Sequence, residues 1–180
     1  MIYTMVQPIA LDPDATLAAL SDTCHALNDL AAVPASSGLY AWWAPPAVFE
    51  GLPGPAHPHT ADFRLLYVGI AANLRRRILR DHLRRSGRST LRRTLAGLML
   101  DTDGYQTHRT DRVVLVPGDE VRLTAWMQTH LLVSWCPHPA PCDVEAAVIE
   151  RWAPPLNVTH ASGPARDIVA AARHAYNTSA

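Results

Sequence analysis

The stretch FRLLYVGIAANLRRR, residues 63–77, decides the fold, because a strand pattern in it runs directly into a helix pattern. Its first half, Phe63 to Gly69, is apolar, aromatic and β-branched, which is typical of a strand. Its second half begins a helix that we expect to run from about Asn73 to Arg85. A strand followed at once by a helix, in a chain of 180 residues, predicts one compact domain that combines both kinds of element.

The remaining elements surround this stretch. A first strand covers Ser37–Trp43, and the segment 44–62 that follows it holds five prolines and two glycines, which indicates a loop. The other expected elements are a helix from Asp12 or Asp14 to about Ala31, strands at 112–116 and 132–136, and helices at 90–100, 119–131, 143–152 and 164–176. The predicted fold class is α+β: a small antiparallel β-sheet flanked by helices, in a single domain with N- and C-terminal helical extensions.

The charge of the chain is zero in sum but unevenly distributed. All 16 basic residues are arginine; nine lie between Asn73 and Arg93, where Asp81 is the one acid, so this segment carries +8 and the rest carries −8. On an ideal α-helix of about 100° per residue, one side would carry four of them: Arg76, Arg77, Arg80 and Arg84. Guanidinium groups suit phosphate oxygens, so a surface of one sign favours a nucleic-acid partner over an ordinary solvated face.

Composition excludes several classes of protein. With 48% hydrophobic and 18% charged residues, the chain does not resemble a disordered protein. Its N-terminus lacks the pattern of a secretory signal, and no apolar run reaches the roughly 18 residues that a membrane span requires. The run CPHPAPC, residues 136–142, is more typical of a Pro-rich loop than of a zinc site, which uses four ligands. We therefore expect a cytoplasmic protein that has no membrane partner.

One carboxylate lies at an unusual position in the helix that follows Asp143. At helical spacing Glu145 heads the apolar stripe formed by Val148 and Ile149, whereas Glu150 points away from it. A carboxylate on a core-facing stripe needs a partner, because burial of an unpaired charge is costly. The alternative is that Glu145 occupies the first helical turn because the helix dipole favours an acid there. The helix pattern alone leaves both readings open.

Five elements then stand in a characteristic order: Gly38-Leu39-Tyr40, Tyr67-Val68-Gly69, Asn73-Leu74 with Arg77, Glu145, and Asn157. Together they resemble the catalytic domain of the GIY-YIG nucleases, found in homing endonucleases, excision repair, structure-specific endonucleases and some restriction enzymes. The resemblance extends from about Gly38 to Val158. It suggests an N-terminal helical extension at 1–36, a GIY-YIG-like catalytic domain at 37–158 with a Pro-rich insertion at 44–62, and a C-terminal helix at 159–180.

The resemblance implies a role for each matched residue. Glu145 would bind a single divalent cation, Mg²⁺ or Mn²⁺, which polarises the scissile phosphate. Arg77 would neutralise the charge that builds up on the phosphate in the transition state. Tyr40 and Tyr67 would hold the attacking water, one of them as general base or proton relay, and Asn157 would orient the site by hydrogen bonding. The structural positions implied are Gly38 and Gly69, the latter where the strand leaves for the helix.

The chain departs from the family pattern in two places. The separation of Tyr40 and Tyr67 is 27 residues, longer than the usual short hairpin, because the Pro-rich insertion lies between them. The family often has a histidine or tyrosine four residues after the arginine, and here that position is Asp81, with His82 one residue later. On an ideal α-helix His82 is about 140° from Arg77. His82 is therefore either a catalytic residue or a core histidine with satisfied hydrogen bonds.

These observations predict a metal-dependent endonuclease that hydrolyses phosphodiester bonds in DNA. The predicted nucleic-acid contacts are Arg76, Arg80, Arg84 and Arg88. Specificity would come from the insertion at 44–62, from the C-terminal 20 residues, from a homodimer or from a partner protein. Two alternatives remain: a catalytically inactive module that binds branched or damaged DNA or RNA, and a small regulatory protein whose arginines dock on an acidic partner. Only phosphate neutralisation predicts a steep salt dependence of binding.

Overall fold

A computed structural model describes residues 12–52, 54–159 and 163–180 of the chain. Its strands are β1 (His25–Ala26), β2 (Gly38–Ala44), β3 (Ala56–His57), β4 (Thr60–Ala71), β5 (Thr107–Arg109), β6 (Val113–Leu115) and β7 (Leu132–Pro137). Five of them form one sheet in the order β1-β7-β2-β4-β3, and every neighbouring pair is antiparallel. The strands β5 and β6 form a separate antiparallel pair.

Helices pack on both faces of this sheet. They are α1 (Pro13–Asp22), α2 (Thr90–Leu98), α3 (Pro117–His130), α4 (Cys142–Trp152) and α5 (Pro164–Asn177). A π-helix covers Arg76–His82, and a single 3₁₀ turn covers Ser86–Arg88. The α+β class with an antiparallel sheet is confirmed. Within the described ranges, none of the helices has both the length and the apolarity to cross a bilayer.

The strand β2 lies in the middle of the molecule and is buried along its whole length. Tyr40 and Trp42 belong to the larger core cluster, on the side of α2, α3 and α5. Leu39, Ala41 and Trp43 belong to the second cluster, on the side of α1 and α4. A strand that is covered on both faces needs apolar side chains at every position, which explains why its sequence shows no alternation.

Several predicted boundaries were wrong. The first helix ends at Asp22 instead of about residue 31, because Thr23 is extended and the next residues join the sheet edge as β1, paired with β7. The second predicted strand is longer, since β4 begins at Thr60 inside the expected loop, and that loop also contributes β3. Residues 1–11 of the predicted N-terminal extension, residue 53 of the insertion and residues 160–162 of the C-terminal segment lie outside the described residues.

The arginine-rich helix is not the α-helix that its periodicity predicted. The Leu83 N–H donates to the Ile78 carbonyl at 3.2 Å, five residues back, which is the hydrogen bond of a π-helix. Bonds from outside the helix hold this geometry: the His82 carbonyl accepts from Arg92 Nη1 at 3.1 Å, and the His82 ring bonds to Tyr40 and Ser89. The segment therefore turns less per residue than an α-helix does.

Candidate active site

The centre of the site is Tyr40, which β2 places in the core with no solvent exposure. Arg77 Nε donates a hydrogen bond to the Tyr40 oxygen at 3.2 Å, and His82 Nε2 lies 2.8 Å from the same oxygen. Burial raises the pKa of Tyr40 far above its ordinary value, and the Arg77 cation opposes that rise. The structure thus brings together three candidate residues from two separate segments of the sequence.

The π-helix brings His82 into contact with Tyr40. A π-helix has more residues per turn than an α-helix, so His82 lies closer to the side of Arg77 than α-helical spacing predicts, and it reaches Tyr40. Asp81 instead lies 3.9 Å from Arg77 Nη1 as an ion-pair partner. His82 is fully buried, and burial together with Arg77 and Arg92 lowers its pKa well below the ordinary value. Its imidazole is therefore neutral at pH 7.

The two motif glycines make room for their neighbours. Gly69 lies opposite Tyr40 in the β2–β4 register, inside β4 and not at its end as expected. A Cβ at Gly69 would lie 2.5 Å from the Tyr40 oxygen and 3.0 Å from Cε1 of Tyr67, so both rings depend on its absence. A Cβ at Gly38 would meet the Cys136 carbonyl and the Leu74 side chain, 2.8 Å away.

A second group of candidate residues lines a cavity of about 290 Å³ beside the first. Tyr67 from β4 and Glu145 from the first turn of α4 both face it, together with Asn157. Tyr67 and Glu145 are half-buried, whereas Glu150, on the same helix, is exposed. The Tyr40 and Tyr67 rings are 6.4 Å apart between centroids, so the cavity adjoins the Tyr40 cluster.

The Asn157 side chain makes two hydrogen bonds to the backbone of β4. Its side-chain oxygen accepts from the Val68 N–H at 3.0 Å, and its side-chain N–H donates to the Val68 carbonyl at 2.9 Å. Val68 is the residue between Tyr67 and Gly69, so the amide fixes the backbone of β4 where both motif residues emerge. Its buried side chain acts on this edge of β4, as a residue that orients the site would.

Arg173 also lines this cavity, and the sequence patterns did not predict it. It reaches the same cavity from α5, where its Nε donates to Thr94 Oγ1 at 2.7 Å and its Nη2 donates to the Leu156 carbonyl at 2.9 Å. Burial raises the pKa of Tyr67, and the cations Arg77 and Arg173 oppose that rise. No motif marks Arg173, because α5 lies beyond the segment that carried the resemblance.

Comparison with known proteins adds to this geometry. The family model of the GIY-YIG catalytic domain matches residues 38–174, which is more than half of the chain. The chain belongs to the GIY-YIG catalytic domain family. This confirms the resemblance and assigns the chain to a family of nucleases. The match extends into α5 and includes Arg173. No curated protein and no solved structure matches the chain.

Arg77, which contacts Tyr40 in the GIY-YIG site, also lines an arginine-rich groove of about 740 Å³. Its five arginines are Arg76, Arg77, Arg85, Arg88 and Arg112, and its three acids are Asp81, Asp111 and Glu120. The predicted contacts Arg80 and Arg84 are exposed but lie outside this groove, and Arg84 lines a separate apolar pocket. Arg85 and Arg112 were missed: Arg85 faces away from the predicted side of an α-helix, and Arg112 is far along the chain.

The donor set of the GIY-YIG cavity can be compared with what a metal requires. Glu145 is the acidic residue on its wall, accompanied by the hydroxyl groups of Thr90 and Thr159. Among the residues that the structure describes, no cluster of three or more His, Cys, Asp or Glu side chains could hold an ion. Mg²⁺ keeps several waters and binds through one or two carboxylates together with substrate phosphates. A single carboxylate in an open polar cavity fits Mg²⁺ and does not fit a structural zinc site.

Proposed function

We propose that this GIY-YIG domain is a divalent-metal-dependent endonuclease that hydrolyses phosphodiester bonds in DNA. The observation that carries the proposal is the convergence of Tyr40 and Arg77, which are hydrogen-bonded to each other, with Tyr67 and Glu145 in the adjoining cavity. A module that only binds nucleic acid requires phosphate contacts, and neither a half-buried carboxylate nor a fully buried tyrosine contributes to those.

Arg77 connects the groove with the reacting centre. It lines the arginine groove, its Nε contacts Tyr40, and its Nη1 donates to the Arg88 carbonyl at 2.8 Å, so its guanidinium is held by two fixed acceptors. A cation held in this way needs no reorganisation when negative charge develops on a phosphate. Arg77 would therefore stabilise the pentavalent transition state, where its interaction is stronger than in the ground state.

The two tyrosines have different access to substrate. Tyr67 is half-exposed and faces the cavity, so we assign it the contact with the attacking water. Tyr40 is fully buried behind it and would tune the site through its bonds to Arg77 and His82. Burial raises the pKa of both phenols, so each loses its proton at neutral pH only while cations remain nearby.

Glu145 is the residue that would hold the divalent ion, and the ion would supply Lewis-acid polarisation of the scissile phosphate. Among the chain's own residues, Arg76, Arg85 and Arg88 would bind the flanking phosphates in the groove, with Arg80 and Arg84 on its outside. Phosphate contacts of this kind fix the position of the DNA and carry no sequence information. Sequence or structure specificity would then come from a second copy of the chain or from a partner protein.

The test is incubation of the purified protein with supercoiled plasmid, branched DNA and RNA in Mg²⁺, Mn²⁺ or EDTA. We expect nicked or linear plasmid with either ion, no product in EDTA, and no product from Glu145→Gln. The matched control is Glu150→Gln on the exposed side of the same helix, which should cleave at the wild-type rate. The proposal fails if the wild type binds these substrates and leaves all of them intact, or if the two variants lose activity equally.

A further inference from the structure

Three buried side chains form a hydrogen-bonded line that ends at the Tyr40 oxygen. Ser89 Oγ lies 2.7 Å from His82 Nδ1, and His82 Nε2 lies 2.8 Å from the Tyr40 oxygen. Ser89, His82 and Tyr40 are each fully buried. The direction of the two hydrogen bonds determines whether Tyr40 gives a proton toward His82 or receives a hydrogen bond from it.

The surroundings of Ser89 determine that direction. Its Oγ already accepts the Arg92 N–H at 3.0 Å, because Ser89 is the N-cap of α2. Among the described residues, the one acceptor within hydrogen-bond distance of the Ser89 hydroxyl proton is His82 Nδ1. If His82 donated to Ser89 instead, that proton would be buried without an acceptor, which is costly. The Tyr40 hydroxyl proton, by contrast, has a second acceptor in the Tyr67 side chain, to which Tyr40 is hydrogen-bonded. Ser89 therefore donates to His82 Nδ1.

The remaining ring nitrogen then has a defined role. A neutral imidazole carries one N–H donor and one acceptor nitrogen. Burial and the cations Arg77 and Arg92 keep His82 neutral, as its lowered pKa shows. With Nδ1 as acceptor, the ring proton is on Nε2 and is donated to Tyr40. The Tyr40 oxygen also accepts from Arg77 Nε, so two N–H donors point at it.

We propose that Ser89 is a positioning residue of this site: its hydroxyl holds His82 in the Nε2–H tautomer, so that His82 acts on Tyr40 as a hydrogen-bond donor and not as a base. Two N–H donors favour negative charge on the Tyr40 oxygen. The Tyr40 hydroxyl proton is directed at the oxygen of Tyr67, which lines the cavity, and not at His82. The inferred direction of the hydrogen bonds does not depend on any activity, whereas its effect on cleavage rests on the proposed nuclease function.

The tautomer can be observed without any cleavage assay. Long-range ¹H–¹⁵N correlation spectra of protein labelled at its nine histidines distinguish a protonated ring nitrogen from a bare one. The His82 signals are assigned by their loss in His82→Gln. We expect the proton on Nε2 in the wild type and in Ser89→Thr, which keeps the hydroxyl, and partial transfer to Nδ1 in Ser89→Ala. A wild-type proton on Nδ1, or on both nitrogens at pH 7, overturns the proposal.

Cleavage then tests the positioning role. At saturating plasmid, Ser89→Ala should cut roughly 10- to 100-fold more slowly, the range typical of residues that orient a reacting group through another side chain, and Ser89→Thr should restore the rate. The control is Asp12→Ala, which removes the N-cap bond of α1 far from the site, and its rate should not change. If Ser89→Ala slows cleavage no more than Asp12→Ala does, Ser89 has no positioning role. A wild type that cuts nothing refutes the nuclease function and leaves the tautomer measurable.

Discussion

The arginines of residues 73–93 divide into two groups that differ in environment. Arg92 is fully buried: its Nη2 bonds to Glu120 Oε2 at 2.7 Å and to the Glu120 carbonyl, and its Nη1 bonds to the His82 carbonyl. Arg76 and Arg88 are exposed on the groove wall. Arg77 stands between the two groups. Under the proposed function, residues of one type in one segment would serve folding, chemistry and binding, and their burial distinguishes these roles.

The largest expected effect is on the free energy of unfolding, when the buried Arg92 is replaced. Arg92→Met should lower the free energy of unfolding by about 3 kcal/mol, because it leaves the Glu120 carboxylate without its ion-pair partner and the His82 carbonyl without its Arg92 donor. The matched control, Arg80→Met, alters an exposed residue and should stay within about 0.5 kcal/mol of the wild type. Urea titrations at constant pH provide the comparison. Equal urea midpoints for the two variants would mean that buried and exposed arginines contribute equally to stability.

The next largest effect is expected from filling the space that Gly69 leaves beside the Tyr40 ring. Gly69→Ala places a Cβ 2.5 Å from the Tyr40 oxygen, so the ring must shift away from Arg77 and His82. We expect a loss of about 1–3 kcal/mol in unfolding free energy, the range for overpacking, together with loss of cleavage. Gly118→Ala, where no atom lies within 4 Å of the added Cβ, serves as the control. Wild-type stability and activity in Gly69→Ala would show that the ring has room to move.

The buried His82 predicts a dependence of stability on pH. Its folded pKa lies well below the unfolded value of about 6.5, so below that pH the unfolded chain takes up a proton that the folded chain does not. Its contribution therefore falls as the pH drops below 6.5, by at most about 1.4 kcal/mol per pH unit. The wild type should lose its stability advantage over His82→Gln between pH 7.5 and 5. A constant difference over this range would contradict a neutral buried ring.

The smallest effects belong to single exposed arginines. Arg88→Ala should lower the slope of log K against log salt for DNA binding by about 1, because one phosphate contact is removed. Arg166→Ala, on the exposed face of α5, should leave the slope unchanged. The same titration on Arg80→Ala and Arg84→Ala measures how far the DNA extends beyond the groove. If Arg88→Ala and Arg166→Ala changed the slope equally, the groove would not be the DNA-binding surface.

Local patterns predicted much of this architecture. The apolar runs around Tyr40 and Tyr67 marked β2 and β4, and the helical period placed Glu145 and Glu150 on different sides of α4. The π-helix could not be predicted, because bonds to Tyr40, Ser89 and Arg92 from elsewhere in the fold hold it. Arg173 lay outside every motif for a similar reason, since packing of α5 against α2 brings it to the cavity.

The central claim is that Arg77 stabilises the transition state whereas its neighbour Arg76 binds DNA. A single-turnover cleavage assay tests this claim most directly. Supercoiled plasmid is cut by excess enzyme in Mg²⁺, and the affinity for DNA is measured separately in EDTA. We expect Arg77→Ala to lower the saturating rate about 10²- to 10³-fold with little loss of affinity, as for removal of one transition-state donor. Arg76→Ala should weaken binding and keep the saturating rate within about threefold of the wild type. Equal losses of rate in the two variants, or a loss of affinity alone in Arg77→Ala, would contradict the account.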